Sequence, residues 1–281
     1  MLDKVKIQAP AKINLFLKVL NKRFDGYHNI RSGITFINLF DEIEINTSHE
    51  MSIKYTGRFK PQGGFYKDCI IKKIINSVSL KSNNINLNVS IKKNIPVQGG
   101  LGSASTNAAG FIKGLIKLNL LDLYSIKNSK SFGADFNCFL FGKNCLVRNF
   151  GDQILPFQHP QYFFLLVKPK ISLSTKEMYL SLARKSYKSL NLQKKDSILF
   201  DKNDSGNDFE KIAINQFKEI KEILFSLKSI NNSLFASISG SGSCCYAAFD
   251  KKSFAIKAQK KFIKDFPDLW TFIGENNTIN N

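Results

Sequence analysis

The sequence predicts a globular chain of mixed strands and helices. Three observations carry this: two-residue alternation at Lys12–Val19 and again at Ile85–Lys92, apolar residues at helical spacing from Ala108 to Leu118, and a hydrophobic content of 43%. In the first stretch Ile13, Leu15, Leu17 and Val19 share one face. Lys12, Asn14, Phe16 and Lys18 share the other, so a half-buried strand carries Lys12 and Asn14 side by side, away from the core. In the second, Leu87, Val89 and Ile91 alternate with Asn88, Ser90 and Lys92. Asp41–Ile45 reads as a further strand.

Between the second strand and its helix runs Pro96-Val97-Gln98-Gly99-Gly100-Leu101-Gly102-Ser103-Ala104-Ser105-Thr106. Glycines let a backbone approach a ligand closely, and N–H groups ahead of a helix start form a concave anion site. Ser103, Ser105 or Thr106 can cap the helix, and their hydroxyls suit phosphate or a phosphate-bound metal. The stretch lacks the Gly-Lys-Ser/Thr ending of a P-loop and the spacing of a dinucleotide fingerprint. Read alone, it is either a phosphate loop or a flexible turn.

Four weaker signals accompany it, each with a plain structural alternative. Lys12 and Asn14 in Pro10-Ala11-Lys12-Ile13-Asn14-Leu15 can hold a phosphate or hydroxyl, or merely decorate a surface strand. Asp25-Gly26-Tyr27-His28 puts a ring and an imidazole on a turn, for stacking on a base or for packing. Asp135 in Gly133-Ala134-Asp135 is a loop acid, either a general base or simply solvated. Ser239-Gly240-Ser241-Gly242-Ser243, between the strands Leu234–Ile238 and Cys245–Phe249, is a second glycine loop or a turn. Elsewhere a buried strand is expected at Phe163–Val167, a Ser/Lys/Asn-rich connection at roughly 184–206, a helix at Phe209–Leu227 and a frayed tail from 276.

Length and composition narrow the function classes. At 281 residues there is room for two ordinary domains, with a soft boundary near 150–160 where Gly151, Pro156 and Pro160 cluster. No apolar run reaches membrane-spanning length and no signal-like segment opens the chain, so a cytoplasmic protein is expected. Five scattered cysteines without a Cys-x-x-Cys pair suit a reducing compartment and argue against zinc. Lys and Arg number 41 against 22 Asp and Glu, a net +19. Because the lysines are spread along the chain, this reads as composition bias rather than a nucleic-acid stripe.

The ordered set of five motifs resembles the GHMP kinases, whose signature loop runs P-x-x-x-G-L-G-S-S-A. The pairing of P-A-K-[IL]-N-L with D-G-Y-H is similar to one subfamily, which phosphorylates a cytidyl diphosphate sugar alcohol in the non-mevalonate route to isoprenoid precursors. Ser174-Thr175-Lys176-Glu177-Met178-Tyr179 and Asn207-Asp208-Phe209-Glu210 resemble its later motifs. The resemblance implies an α+β fold of two domains: 1–155, like ribosomal protein S5 domain 2, and 156–281, ferredoxin-like. It implies ATP as donor, Mg²⁺ as its ion, and a monomer or homodimer that binds neither nucleic acid nor membrane. Residues 96–106 would wrap the ATP phosphates, and Asp135 would take or orient the hydroxyl proton. Lys12 would neutralise developing charge. Asn14, Thr175 and Gly240 would contact the alcohol substrate. Tyr27 and Tyr179 would sandwich its cytosine, with His28 at the base edge. The subfamily loop has glycine where Gln98, Ser103 and Ala104 stand, and serine at Thr106; added β-carbons restrict positive φ there.

Overall fold

The computed structural model describes residues 3–61, 69–81, 85–126, 129–183, 199–201 and 205–276. Most of the connection expected at 184–206, and the tail beyond 276, lie outside them. The chain divides into two compact units, neither of them a single continuous stretch.

The first unit comprises residues 1–11, 39–97 and 102–142. It holds the start of β1 (Lys4–Lys22), the end of β2 (His28–Ser48), β3 (Ser52–Thr56), α1 (Ile70–Ser77), β4 (Asn86–Lys92), α2 (Ser103–Lys117) and α3 (Phe136–Phe141). Strand β4 lies between β3, to which it is parallel, and β2, to which it is antiparallel with Ile43 opposite Ile91 and Ile45 opposite Val89. Those apolar pairs face α2, which reaches the sheet because Gly114 has no side chain. A β-carbon there would collide with the Ile45 side chain. The strand read at Asp41–Ile45 is thus the end of a much longer one.

The second unit comprises residues 12–38, 98–101 and 143–281. Here β2 pairs with β5 (Cys145–Asn149), which pairs with β6 (Gln153–Pro156), both antiparallel. A short strand, β8 (Gly206–Asn207), lies parallel to β1 with Phe16 opposite Gly206. A separate antiparallel sheet has the order β11 (Trp270–Glu275), β7 (Phe163–Lys168), β10 (Cys245–Phe249), β9 (Phe235–Ile238). Alternate residues of it, among them Leu165, Val167, Ala247 and Phe249, pack with Ile212 of α5 (Glu210–Gln216), Ile223 and Leu227 of α6 (Lys218–Lys228) and Phe262 of α7 (Lys252–Asp265). This is the layering a ferredoxin-like domain requires. The single helix expected at Phe209–Leu227 is two, broken where Phe217 takes φ −132°. The remaining helix, α4 (Thr175–Ala183), carries Tyr179.

One expectation is overturned in β1. Lys12 and Asn14 do not face away from the core: they are 2% and 3% exposed, and every residue from Ala11 to Leu17 is buried. The alternation is real, but both faces are covered. Tyr246 of β10 donates its hydroxyl to the Asn14 carbonyl at 2.9 Å, and Phe16 packs edge-on against Phe157 and face-on against Phe200.

Candidate active site

The second unit gathers several of the expected residues into one hydrogen-bonded knot. Lys12 Nζ donates to Asn14 Oδ1, and Asn14 Nδ2 donates to Ser32 Oγ at 2.8 Å. The Lys12 amide donates to the Leu101 carbonyl at 3.1 Å, which fixes the glycine segment beside β1. The two glycine loops are then joined directly: Ser239 Oγ donates to the Gly100 carbonyl at 2.8 Å, and the Cys244 amide to the Gly99 carbonyl at 3.1 Å. Gly240, with φ +56°, presses so close that a β-carbon would sit 3.1 Å from Lys12 Nζ and 3.4 Å from Asn14 Oδ1. Thr175 joins through its hydroxyl, 2.8 Å from that of Ser241. Lys12, Asn14, Thr175, Gly240 and the segment Gln98–Leu101 therefore stand together. The second glycine loop is no plain turn, since its hydroxyls and amides hold the first.

Asn207, in the Asn207-Asp208-Phe209-Glu210 stretch, holds the second glycine loop. Its Nδ2 donates to the carbonyls of Gly240 at 2.7 Å and Ile238 at 3.0 Å, and its Oδ1 accepts the Phe209 amide at 2.9 Å. The side chain thus ties the second glycine loop to the start of α5. In the sequence only its place in Asn-Asp-Phe-Glu marks it.

The first unit carries the rest of the expected phosphate loop: Pro96 and Val97 on entry, and α2 from Ser103 on exit. The helix cap is Gly102, left-handed at φ +75° and without a side-chain cap bond, so Ser103, Ser105 and Thr106 are not caps. Their hydroxyls turn elsewhere. Ser103 Oγ accepts from Lys93 at 2.6 Å, Ser105 Oγ abuts the Gly133 backbone, and buried Thr106 Oγ1 has no partner among the described residues. Of the non-glycine substitutions only Gln98 carries strain, at φ +51°. Ser103 and Ala104 lie in the helix, where a β-carbon costs nothing.

Asp135 immediately precedes α3, and its carbonyl accepts the Phe139 amide at 3.2 Å and Cys138 Sγ at 3.0 Å. The contact between Ser105 and Gly133 brings the first turn of α2 against the loop that presents Asp135. Among the described residues no three His, Cys, Asp or Glu side chains cluster as a metal site. Hydroxyls such as those of Ser105 and Thr106 are hard oxygen donors of the kind Mg²⁺ accepts alongside phosphate oxygens.

The residues expected to hold the base, Tyr27, His28 and Tyr179, lie on the Asp-Gly turn, at the start of β2 and in α4. Asp25 accepts the Tyr27 amide at 3.2 Å and pairs with Arg23 at 2.9 Å, shaping the Asp-Gly turn. Tyr27 projects from it, 61% exposed and 6.4 Å from the Phe150 ring. His28 instead stacks on Tyr179 at 4.8 Å, and Tyr179 meets Phe209 edge-on at 4.8 Å. Desolvation, and then the charge on Lys22, lower the His28 pKa, so the imidazole is neutral at neutral pH and offers one donor and one acceptor nitrogen.

Comparison with known proteins identifies the family. Residues 69–141 match the GHMP kinases N terminal domain, and residues 189–268 match the GHMP kinases C terminal family. The chain is 34% identical over 276 residues to a 4-diphosphocytidyl-2-C-methyl-D-erythritol kinase of Francisella tularensis subsp. tularensis (strain WY96-3418), covering 94% of each. To one of Ehrlichia canis (strain Jake) it is 31% identical over 279 residues, covering 95% of this chain and 96% of the relative. A crystal structure of 4-(cytidine 5'-diphospho)-2C-methyl-D-erythritol kinase superposes with a TM-score of 0.73 at 19% identity, over 97% of this chain and 100% of that one. A mevalonate kinase of Methanococcus jannaschii gives 0.58 at 17%, over 98% of both chains, which speaks to the shared fold. Two joined glycine loops beside a buried lysine, the two family matches and full-length relatives above 30% identity together establish that the chain belongs to the GHMP kinases, in the 4-diphosphocytidyl-2-C-methyl-D-erythritol kinase family.

Proposed function

We propose that this kinase transfers the γ-phosphoryl group of ATP to the 2-hydroxyl of 4-diphosphocytidyl-2-C-methyl-D-erythritol, in the cytoplasm. The observation that carries the reading is the knot in which Lys12, Asn14 and Gly240 meet the glycine segment at Gly100. Phosphoryl transfer depends on positioning and charge stabilisation rather than covalent chemistry. In this reading residues 1–155 form the ATP-binding domain and 156–281 the second domain. Residues Pro96 to Thr106 hold the ATP phosphates through backbone N–H groups and the start of α2.

Lys12 brings a buried ammonium to the transferred group, and Asn14, by accepting one of its hydrogen bonds, aims the other N–H groups. Asp135 accepts the proton that leaves the substrate hydroxyl. The hydroxyls of Ser105 or Thr106 would serve as protein donors to Mg²⁺, which would supply neutralisation of phosphate charge. Tyr27 stacks on the cytosine from its exposed turn, while the stacked pair His28–Tyr179 supplies an edge contact and a wall. Thr175 and Gly240 line the alcohol.

The test is ATP consumption by the purified protein with Mg²⁺ and each of three acceptors: the cytidyl substrate, mevalonate and homoserine. Turnover with the cytidyl substrate alone is expected. Turnover with another acceptor alone would keep the phosphate loop, Lys12 and Asp135 but discard Tyr27, His28 and Tyr179 as a base site.

A further inference from the structure

Both ends of the segment carrying the glycine loop are tied to one buried ion pair that the reaction above does not use. Asp41 in β2 is 0% exposed, and Lys93, the residue after β4, is 3% exposed. Lys93 Nζ donates to Asp41 Oδ2, to Ser103 Oγ at 2.6 Å and to Asn107 Oδ1 at 2.6 Å. Asn107 Nδ2 closes the ring by donating to Asp41 Oδ2 at 2.9 Å. The second oxygen, Asp41 Oδ1, accepts the amides of Asn94 at 2.7 Å and Ile95 at 2.9 Å. Asn94 and Ile95 lead directly into Pro96, and Ser103 opens α2. One carboxylate therefore holds the entry of the loop, and its cation partner holds the exit.

All three Lys93 protons are placed, and the backbone is held as well: its amide donates to Thr56 at 2.8 Å and its carbonyl accepts the Phe59 amide at 3.1 Å. Desolvation lowers the Lys93 pKa while Asp41 opposes it, so the charge on the ammonium depends on its partner. A buried ion pair is a poor stabiliser compared with apolar packing of the same shape. What it provides is a defined geometry, here between Ile95 and Ser103, which flank a run of glycines with little conformational preference of its own.

We propose that Asp41 and Lys93 are positioning residues for the nucleotide: they set the span between Ile95 and Ser103, and so preorganise the N–H groups that hold the ATP phosphates. This rests on the phosphate-loop reading above. Donors act on an anion only as well as they are held in place beforehand.

The first variant is Asp41→Asn, which keeps the side-chain size and the Oδ1 acceptor but leaves Lys93 without a counter-charge. At a temperature where its circular dichroism is native, the KM for ATP rises by roughly 10- to 10²-fold, as for a misplaced binding group. The KM for the acceptor alcohol stays within about twofold, the split that marks a loss confined to one substrate. Amide hydrogen exchange at 103–107, measured without nucleotide, speeds up. Where Asp41→Asn does not fold, two further variants carry the test. The double variant Asp41→Asn/Lys93→Met removes both charges together, and Ser103→Ala cuts only the exit tie; both give the same ATP-selective rise. An unchanged ATP KM with normal exchange in a folded variant overturns the proposal, as do equal rises for both substrates. The wild-type chain is assayed first. If it neither binds nor consumes ATP, the phosphate-loop reading fails, and the proposal with it, before any substitution is made.

Discussion

Gly100 and Ser239 touch across the two glycine loops: Ser239 Oγ donates to the Gly100 carbonyl at 2.8 Å, and the Gly100 Cα faces the Ser239 carbonyl with no room for a β-carbon. At φ +70° the position also favours glycine for its backbone. Gly100→Ala is therefore expected to lower stability by about 2–4 kcal/mol, strain and overpacking together, and to abolish measurable ATP turnover. Gly26→Ala is the control. Its φ is +85° but nothing lies within 4 Å of the added carbon, so only the backbone cost of about 1 kcal/mol remains. Thermal unfolding of the two variants separates close approach from backbone strain, and equal losses would place the effect in the backbone alone.

Lys12 and Asp135 are expected to act on kcat rather than on ground-state binding. Lys12→Met should reduce kcat by roughly 10²–10³-fold, the scale of losing one preorganised electrostatic group. Lys12→Arg should not restore it, because Gly240 and Asn14 leave no space for a guanidinium. Asp135→Asn should reduce kcat by roughly 10²–10⁴-fold, as for a lost general base. Near-wild-type turnover in either variant removes that residue from the chemistry.

Tyr27 and Tyr179 are expected to behave differently despite the shared role proposed for them at the base. Tyr27→Ala deletes an exposed ring, so it should weaken binding of the cytidyl substrate by about 1–3 kcal/mol, leave ATP affinity alone and spare thermal stability. Tyr179→Ala also removes the stack on His28 and the edge contact with Phe209, so it should lower the unfolding midpoint as well. A Tyr27 variant that weakens both substrates equally would sink the stacking assignment.

His159 is expected to make the fold sensitive to acid. Its Nδ1 donates to the Pro160 carbonyl at 2.7 Å, and its Nε2 is buried without a partner among the described residues. Desolvation lowers its pKa, with the Pro160 bond opposing. Below the ordinary histidine value the unfolded chain binds the proton more readily than the folded one. This contribution to stability is thus complete above about pH 6.5 and is lost as pH falls toward the folded-state pKa. His159→Gln should flatten the dependence of the unfolding midpoint over that window. An unchanged slope would assign the acid sensitivity to other groups.

Local pattern in the sequence was enough to locate β4, β7, β9, β10, the core of α2 and the glycine loop, because alternation, helical spacing and runs of glycine act over a few residues. The order of the five motifs pointed to the family for the same reason, since each motif is a short contiguous string. Tertiary structure alone decided that Lys12 and Asn14 are buried: their strand alternates as a half-exposed one does, and Gly240 and Ser32 close on their side chains while Phe157 and Phe200 cover Phe16. It likewise decided that Ser103 serves a buried lysine rather than capping its helix, and that Asn207 fastens a loop 33 residues away. The pairing of Asp41 with Lys93 spans 52 residues. No local signal reports such a bond, because its energy comes from desolvating two charges together, and that requires the fold that brings them into contact.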